Sequence, residues 1–120
     1  VAATWSTQNS LNTARLGLAG VGTVSASLAI GGQTEPPTVF RAETESYNGT
    51  SWTEVADLNK ARSKLASSAY SPVSSTIVFA GDTNSPTPAR LNNSETWSKF
   101  YCSFIFCSLP TRIYLFMEWV

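Results

Sequence analysis

The sequence predicts an all-β fold in which a unit of about 47 residues occurs twice. Three observations support this prediction. An ordered set of sequence landmarks recurs at that offset, and two short apolar runs end at glycine. In addition, no segment keeps apolar residues at the i, i+3, i+4 and i+7 spacing of an amphipathic helix. Short strands at even spacing are typical of antiparallel β-structure.

The repeat rests on four landmarks that keep the same order in both copies. The longest has the form Trp-x5-Leu-Asn-x-Ala-Arg and spans residues 5–15 and 52–62. The second landmark is a Leu-Ala pair at 18–19 and 65–66, and the third is an apolar run ending in glycine at 27–32 and 76–81. The fourth is a segment of four residues that ends in Glu-x-aromatic, at 44–47 and 94–97. A shared order of four landmarks indicates an internal duplication, with a small insertion in the second copy.

Each copy contains segments that favour β-strands. The apolar runs suit strands buried on both faces, so we expect Ser27–Ile30 and Thr76–Phe79 to be the most buried stretches. Glu43–Tyr47 alternates between polar and larger side chains and is followed by the Asn-Gly pair 48–49, a strong hairpin signal. Ser51–Val55 is then the returning strand. Four strands in a repeat of this length match one blade of a β-propeller.

The order of these features resembles the kelch repeat. The matching positions are an apolar strand followed by Gly31, Gly32, Glu45, Tyr47, Trp52 and Arg62. The resemblance covers roughly residues 4–98, and the amino-acid sequence of this region is similar to that of kelch-like arrays in marine bacterial and phage proteins. The second copy departs from the pattern, because Ala80 replaces the first glycine, Trp97 replaces the tyrosine and no Asn-Gly turn follows.

The resemblance implies kelch-like β-propeller blades, each a four-stranded antiparallel meander. A chain of 120 residues is too short for the roughly four blades of a closed propeller, so we expect about two blades of an incomplete one. The expected organisation is an outer strand of a preceding blade (4–10) with a connecting loop in 1–15, a complete blade in 16–62, a second, divergent blade in 63–99 and an atypical apolar tail in 100–120.

The resemblance also implies structural roles for six repeat positions. Three glycines allow the second strand of a blade to end in a tight or positive-φ turn: Gly31, Gly32 and Gly81. Three aromatic residues are expected in the core between blades: Tyr47, Trp52 and Trp97. Glu45 belongs to the same repeat and is interpreted as structural.

Four arginines are the candidate binding residues. Loops of a meander alternate between two rims, which places Arg15, Arg41, Arg62 and Arg90 on one rim. Such a rim suits bidentate capture of carboxylates or phosphates. The recurrence of Arg15 and Arg62 favours the alternative that both donate hydrogen bonds to backbone carbonyls between blades.

Composition argues against several functional classes. Eight basic and eight acidic residues balance, which does not suit nucleic-acid binding. The chain has no histidine, the commonest general base and metal ligand, and Cys102 and Cys107 lack the further ligands that zinc requires. No G-x-S-x-G motif, P-loop or acid–base pair of carboxylates is evident. We therefore expect no catalytic residues, metal or cofactor.

The tail at 100–120 is aromatic-rich and unlike the repeats. Its length would suit a membrane span, but Pro110 and Arg112 near its centre argue against one. The alternatives are a hairpin of Tyr101–Ser108 with Ile113–Val120, or foreign sequence such as a shifted reading frame. Its two cysteines are either reduced thiols or a disulfide.

These observations favour a non-catalytic binding or scaffolding module, a fragment of a kelch-type propeller whose partner is a protein or a carbohydrate. One alternative is a fragment of a larger kelch-containing enzyme, an oxidase or a sugar-processing enzyme, with its catalytic residues outside this chain. Another is a membrane-tethered surface repeat protein. Two incomplete blades leave sheet flanks uncovered, so we expect weak stability or self-association through exposed blade edges.

Overall fold

The computed structural model describes residues 2–68, 73–84 and 87–99. In order, these residues form β1 (Ala19–Thr23), β2 (Ala26–Ile30), β3 (Gln33–Thr34), β4 (Val39–Phe40), β5 (Thr44–Tyr47), β6 (Trp52–Glu54), β7 (Ala66–Ser67), β8 (Ser75–Phe79), β9 (Asp82–Thr83), β10 (Ala89–Arg90) and β11 (Ser94–Ser98). All strand pairs are antiparallel, and within these ranges there is neither a helix nor a closed barrel. The fold is all-β and consistent with an incomplete propeller-like architecture. No helix long and apolar enough to cross a membrane occurs among the described residues.

The first sheet has four strands in the order β1-β2-β5-β6, the meander expected for one complete unit. The turn from β5 to β6 forms at the Asn-Gly pair. The Asn48 Oδ1 atom accepts hydrogen bonds from the amides of Thr50 and Ser51 at 2.9 and 2.8 Å, and Gly49 adopts a φ of 94°. Asparagine bonding to the backbone two residues ahead, followed by a residue with positive φ, closes this turn.

The second sheet repeats the arrangement with three strands, in the order β11-β8-β7. In each sheet a two-stranded hairpin is inserted between the second and third strands, β3–β4 in the first and β9–β10 in the second. These hairpins lie in the connections where the sequence places Arg41 and Arg90. A fourth strand of the second unit, the tail hairpin, the membrane span and the cysteine pairing all fall outside the described residues.

The core lies between the two sheets. Its buried side chains come from both: Ala19, Val21, Leu28 and Ile30 from the first, and Leu65 and Val78 from the segments of the second. The continuous buried run 28–33 confirms the expectation for the second strand of the first unit.

The same expectation is wrong for the second unit. Along β8 burial alternates, so that Thr76 and Val78 are buried whereas Ile77 and Phe79 are exposed. Successive side chains of a strand point to opposite faces. Only one face of this sheet packs against the other sheet, and the described residues supply no cover for the opposite face.

The outer strand expected at residues 4–10 does not form. A strand needs backbone hydrogen bonds to a neighbour, and none joins this segment to the other described residues. Instead it is attached to the β5–β6 hairpin through side chains. The Trp52 Nε1–H group donates to the Asn9 carbonyl at 3.0 Å, and the Tyr47 hydroxyl bonds to Gln8 Oε1 at 3.3 Å.

Candidate functional site

Arg15 is fixed inside the molecule by the first sheet. Its side chain is fully buried, and its Nη2 atom donates to Glu45 Oε1 at 2.7 Å while Nη1 donates to the Glu43 carbonyl at 2.7 Å. The other carboxylate oxygen of Glu45 accepts the backbone amide of Asn12 at 2.8 Å. Glu45 therefore holds both ends of the Leu-Asn-x-Ala-Arg segment against β5.

Arg62 makes the equivalent contacts one repeat later. Its Nη2 atom donates to Glu95 Oε1 at 2.6 Å, and Nη1 donates to the carbonyls of Ala80 and Asn93 at 3.1 and 3.3 Å. The second oxygen of Glu95 accepts the amide of Asn59 at 2.6 Å. Both the partner types and the geometry recur with the sequence repeat.

These contacts remove two arginines from the expected solvent-facing rim. The side chains of Arg15 and Arg62 are 0% exposed, so neither guanidinium can meet a dissolved ligand. Burying a charge is tolerated when it is paired and hydrogen-bonded, as both are. Each ion pair is completed by a backbone amide, that of Asn12 for Glu45 and that of Asn59 for Glu95. The glutamates and asparagines recur in the sequence repeat, and this recurrence was the signal by which sequence could have identified their structural role.

The glycine turns bring the arginine loops close to the sheets. Gly31 and Gly32 have φ values of 63° and 104°, and Gly81 has 98°. A Cβ atom at Gly31 would lie 2.9 Å from the Arg62 carbonyl, which is closer than real contacts allow. In the second unit Ala80 occupies the same place with a φ of 62°, a conformation that costs a non-glycine residue about 1 kcal/mol or more.

The three repeat aromatics differ in how deeply they are buried. Tyr47 is buried and its ring lies 4.9 Å from that of Trp52, centroid to centroid. Trp97, the counterpart of Tyr47, is half-buried and packs against the core between the sheets. Tyr47 and the half-buried Trp52 are cross-strand partners on the face of the first sheet that points away from the core. The expectation that they pack between the two units is therefore wrong for both, and Trp97 alone of the three packs against that core.

Arg41 and Arg90 belong to the two inserted hairpins, which lie at one rim. Backbone hydrogen bonds join the two units at this rim: the Lys64 amide donates to the Gly17 carbonyl at 2.7 Å, and the Gly32 amide donates to the Arg62 carbonyl at 2.8 Å. The Arg41 guanidinium donates to Glu43 Oε1 at 3.0 Å and is about one third exposed.

Arg90 is exposed and forms no ion pair with the residues in the described ranges. It lies opposite Asp82 in the β9–β10 ladder. The Asp82 carboxylate in turn lies 3.6 Å from the Lys64 ammonium; the Lys64 side chain is largely exposed and that of Asp82 about one third exposed. This part of the rim therefore presents two cations around one carboxylate.

The pKa of the Glu43 carboxyl is shifted by its surroundings. Partial burial disfavours its charged form, but the hydrogen bond from its own backbone amide and the positive charges of Arg41 and Arg15 outweigh that effect. Together they hold the pKa of the Glu43 carboxyl below its ordinary value. The group stays ionised at neutral pH and screens the two arginines from each other.

A cavity of about 240 Å³ lies between the sheets and is bordered by Ile30, Leu58, Val78, Glu95 and Trp97, among others. Two acidic residues line it, Asp57 and Glu95, and the Glu95 carboxylate is already bonded to Arg62 and Asn59. Across the described ranges, no three His, Cys, Asp or Glu side chains are grouped so that they could hold a metal ion.

Compared with models of protein families and with curated proteins, the chain matches no family model and no curated sequence. The resemblance to kelch repeats therefore rests on the residues quoted above, and a function for the chain has to be argued from its own surface.

Proposed function

We propose that this chain is a non-catalytic binding or scaffolding module, part of a kelch-type β-propeller, that binds a carboxylate-bearing protein or glycan at the rim formed by the β3–β4 and β9–β10 hairpins. The observation that carries the proposal is the exposed guanidinium of Arg90, which the fold leaves without an ion-pair partner among the described residues.

The four arginines differ in burial and in contacts, and this difference supports the proposal. Arg15 and Arg62 are fully buried and hold loops to the sheets through their terminal nitrogens. Arg41 is pre-positioned by Glu43 and keeps about a third of its side chain in solvent. Arg90 lies opposite Asp82 in the β9–β10 hairpin, at the position that Phe40 holds opposite Gln33 in β3–β4, and it is exposed. A planar guanidinium forms two parallel hydrogen bonds with a carboxylate, which gives it both affinity and orientation.

The two hairpins also provide a suitable platform. Each follows the glycine turn at the end of a second strand, so the turns of the sheets fix its position. Val39 is 41% exposed and adds an apolar contact beside the charged groups. Binding residues on loops held by a rigid sheet are a common arrangement in repeat proteins.

The proposal is tested by NMR titration of the full chain with two probes, a poly-glutamate peptide and an oligosaccharide of uronic acids. We expect saturable shifts of the amides in 33–41 and 82–90 with one or both probes. Arg90→Ala should weaken that binding at least fivefold, and Arg90→Lys should recover part of it, since an ammonium cannot form the bidentate pair.

Lys99→Ala is the matched control, because it removes one positive charge at the opposite end of the second sheet, where the Lys99 amide bonds to Ser74. It should leave the affinity unchanged. The proposal fails if neither probe shifts the hairpin amides, or if Lys99→Ala weakens binding as much as Arg90→Ala does. A response to the peptide alone or to the oligosaccharide alone identifies the partner as protein or glycan.

A further inference from the structure

The two sheets contact each other through different faces. The first sheet contributes Leu28 and Ile30, and we call the face that carries them its forward face. The second sheet contributes Val78, with Leu65 and Trp97 beside it, from what we call its rear face. Forward and rear faces of one repeat type thus fit together within the chain.

The described residues place no such cover over the forward face of the second sheet. Ile77 and Phe79 occupy the repeat positions of Leu28 and Ile30. They are 38% and 44% exposed, whereas Leu28 and Ile30 are each 2% exposed. The alternation of β8 directs both away from Val78 and the core. An apolar pair that is covered in one repeat is therefore open in the next.

The rear face of the first sheet is partly open: Ala29 and Tyr47 are buried at 4% and 6% exposure, but Gly20 beside Ala29 is exposed. It carries a groove of about 450 Å³, open to solvent, whose lining includes Leu11, Leu18, Ala29 and Trp52. The first three are the repeat equivalents of Leu58, Leu65 and Val78, which cover the forward face of the first sheet.

The open forward face carries a larger side chain than the covered forward face, and the open rear face carries a smaller side chain than the covered rear face. Phe79 stands where the covered forward face has Ile30, and Ala29 stands where the covered rear face has Val78. The open forward face is thus more protruding and the open rear face is more recessed, which suits one to the other.

We propose that copies of this chain associate head to tail, with Ile77 and Phe79 of one copy packing into the rear groove of the next. The occupant of each open face is a second copy, because the contact repeats one that the chain already makes internally. The charge beneath the groove is also compatible with burial, since the Glu45 carboxylate is paired with Arg15 just as Glu95 is paired with Arg62 under the covered face.

Such a contact is heterologous, since each copy uses a different face, and it generates rings or open chains according to the rotation between copies. It uses the sheet faces and leaves the hairpin rim accessible. The association therefore does not depend on the proposed binding function, and either can fail without the other.

The test uses two variants of the full chain. Phe79→Lys places a charge on the open forward face. Gly20→Lys blocks the rear groove, which Gly20 borders, and a Cβ atom there would have only the Leu28 carbonyl at 4.0 Å as a near neighbour. Sedimentation velocity should show a mass that rises with concentration for the native chain. Each variant alone should dissociate at a concentration at least tenfold higher.

Mixing the two variants separates this arrangement from a symmetric one. Equimolar Phe79→Lys and Gly20→Lys should form a species of twice the monomer mass and nothing larger, because the mixture contains one intact forward face and one intact rear face. Val24→Lys, at a 93% exposed position in the β1–β2 turn, is the control and should associate as the native chain does. Circular dichroism checks that every variant retains its β-structure.

Three outcomes would overturn the proposal. One is a native chain that stays monomeric from micromolar to millimolar concentration. Another is a Gly20→Lys chain that associates as the native chain does, which would indicate pairing through Phe79 on both copies. The third is a Val24→Lys chain that dissociates as readily as the other two, which would make added charge alone responsible.

Discussion

The Arg62 Nη2 atom lies 2.6 Å from Glu95 Oε1, one repeat after Arg15 Nη2 and Glu45 Oε1 meet at 2.7 Å. In both pairs the arginine comes from the segment before a sheet and the glutamate from the third strand of that sheet. For Arg62 the segment leaves β6 of the first sheet, so the ion pair fastens the first unit to the second. The expectation that Arg62 donates to backbone carbonyls between units describes part of this geometry, and the carboxylate completes it.

Removing the Arg62 guanidinium should weaken the contact between the two sheets and lower the free energy of unfolding. Arg62→Ala removes one donor from the Glu95 carboxylate and from the carbonyls of Ala80 and Asn93, and it leaves the buried carboxylate without its counter-charge. We expect a loss of about 3 kcal/mol of unfolding free energy. Urea denaturation followed by tryptophan fluorescence measures it. Arg41→Ala, which breaks a partly exposed pair with Glu43, should cost less than about 1 kcal/mol.

A double-mutant cycle shows how much of that loss comes from the pair itself. If Arg62 and Glu95 act together, Arg62→Met combined with Glu95→Gln should be less destabilising than the sum of the two single changes. Additive losses would mean that the carbonyl bonds of Arg62, and not its pairing with Glu95, hold the loop in place.

Ala80 and Gly31 occupy the same place in the two units, so exchanging their residue types should act in opposite directions. Ala80→Gly relieves a φ of 62° and should raise the unfolding free energy by about 0.5–1 kcal/mol after the entropy cost of glycine. Gly31→Ala should lower it, because the new Cβ atom would lie 2.9 Å from the Arg62 carbonyl. Thermal denaturation of both variants checks the pair. Equal shifts of the same sign would contradict the turn geometry.

The ionised Glu43 carboxylate should make a contribution to the unfolding free energy that is lost in acid. Because the folded state lowers the pKa of Glu43, the charged carboxylate stabilises the fold above its unfolded-state pKa, and this contribution is lost as the pH falls through the folded-state value. Native chain should therefore exceed Glu43→Gln in stability at pH 7, with the difference shrinking below about pH 4. In an Arg41→Ala background the difference at pH 7 should be smaller. A difference independent of pH would exclude the electrostatic explanation.

The core between the sheets can be tested with a matched pair of leucines. Leu28 is 2% exposed within the core cluster, and Leu28→Ala should cost about 2–5 kcal/mol through lost burial and the cavity left behind. Leu16, 47% exposed beside the glycine turn, is the control, and Leu16→Ala should change stability by less than about 0.5 kcal/mol. Similar losses at both positions would mean that the two sheets do not share a core.

The sequence alone determined the features that repeat locally. The all-β class followed from short apolar runs and the absence of helical periodicity, and the β5–β6 turn followed from an Asn-Gly pair whose preference is a property of two adjacent residues. The four-stranded order of the first unit followed from the repeat and from the resemblance that it carries.

Only the tertiary structure decided which face of a strand is covered and which charges meet. The runs 27–30 and 76–79 look alike in sequence, yet the first is buried and the second is open on one side, because burial depends on whether a neighbouring sheet is present. Arg15 and Arg90 likewise have the same side chain. One is buried against Glu45, 30 residues away, and the other faces solvent, because electrostatic partners are set by long-range packing that one-dimensional spacing does not contain.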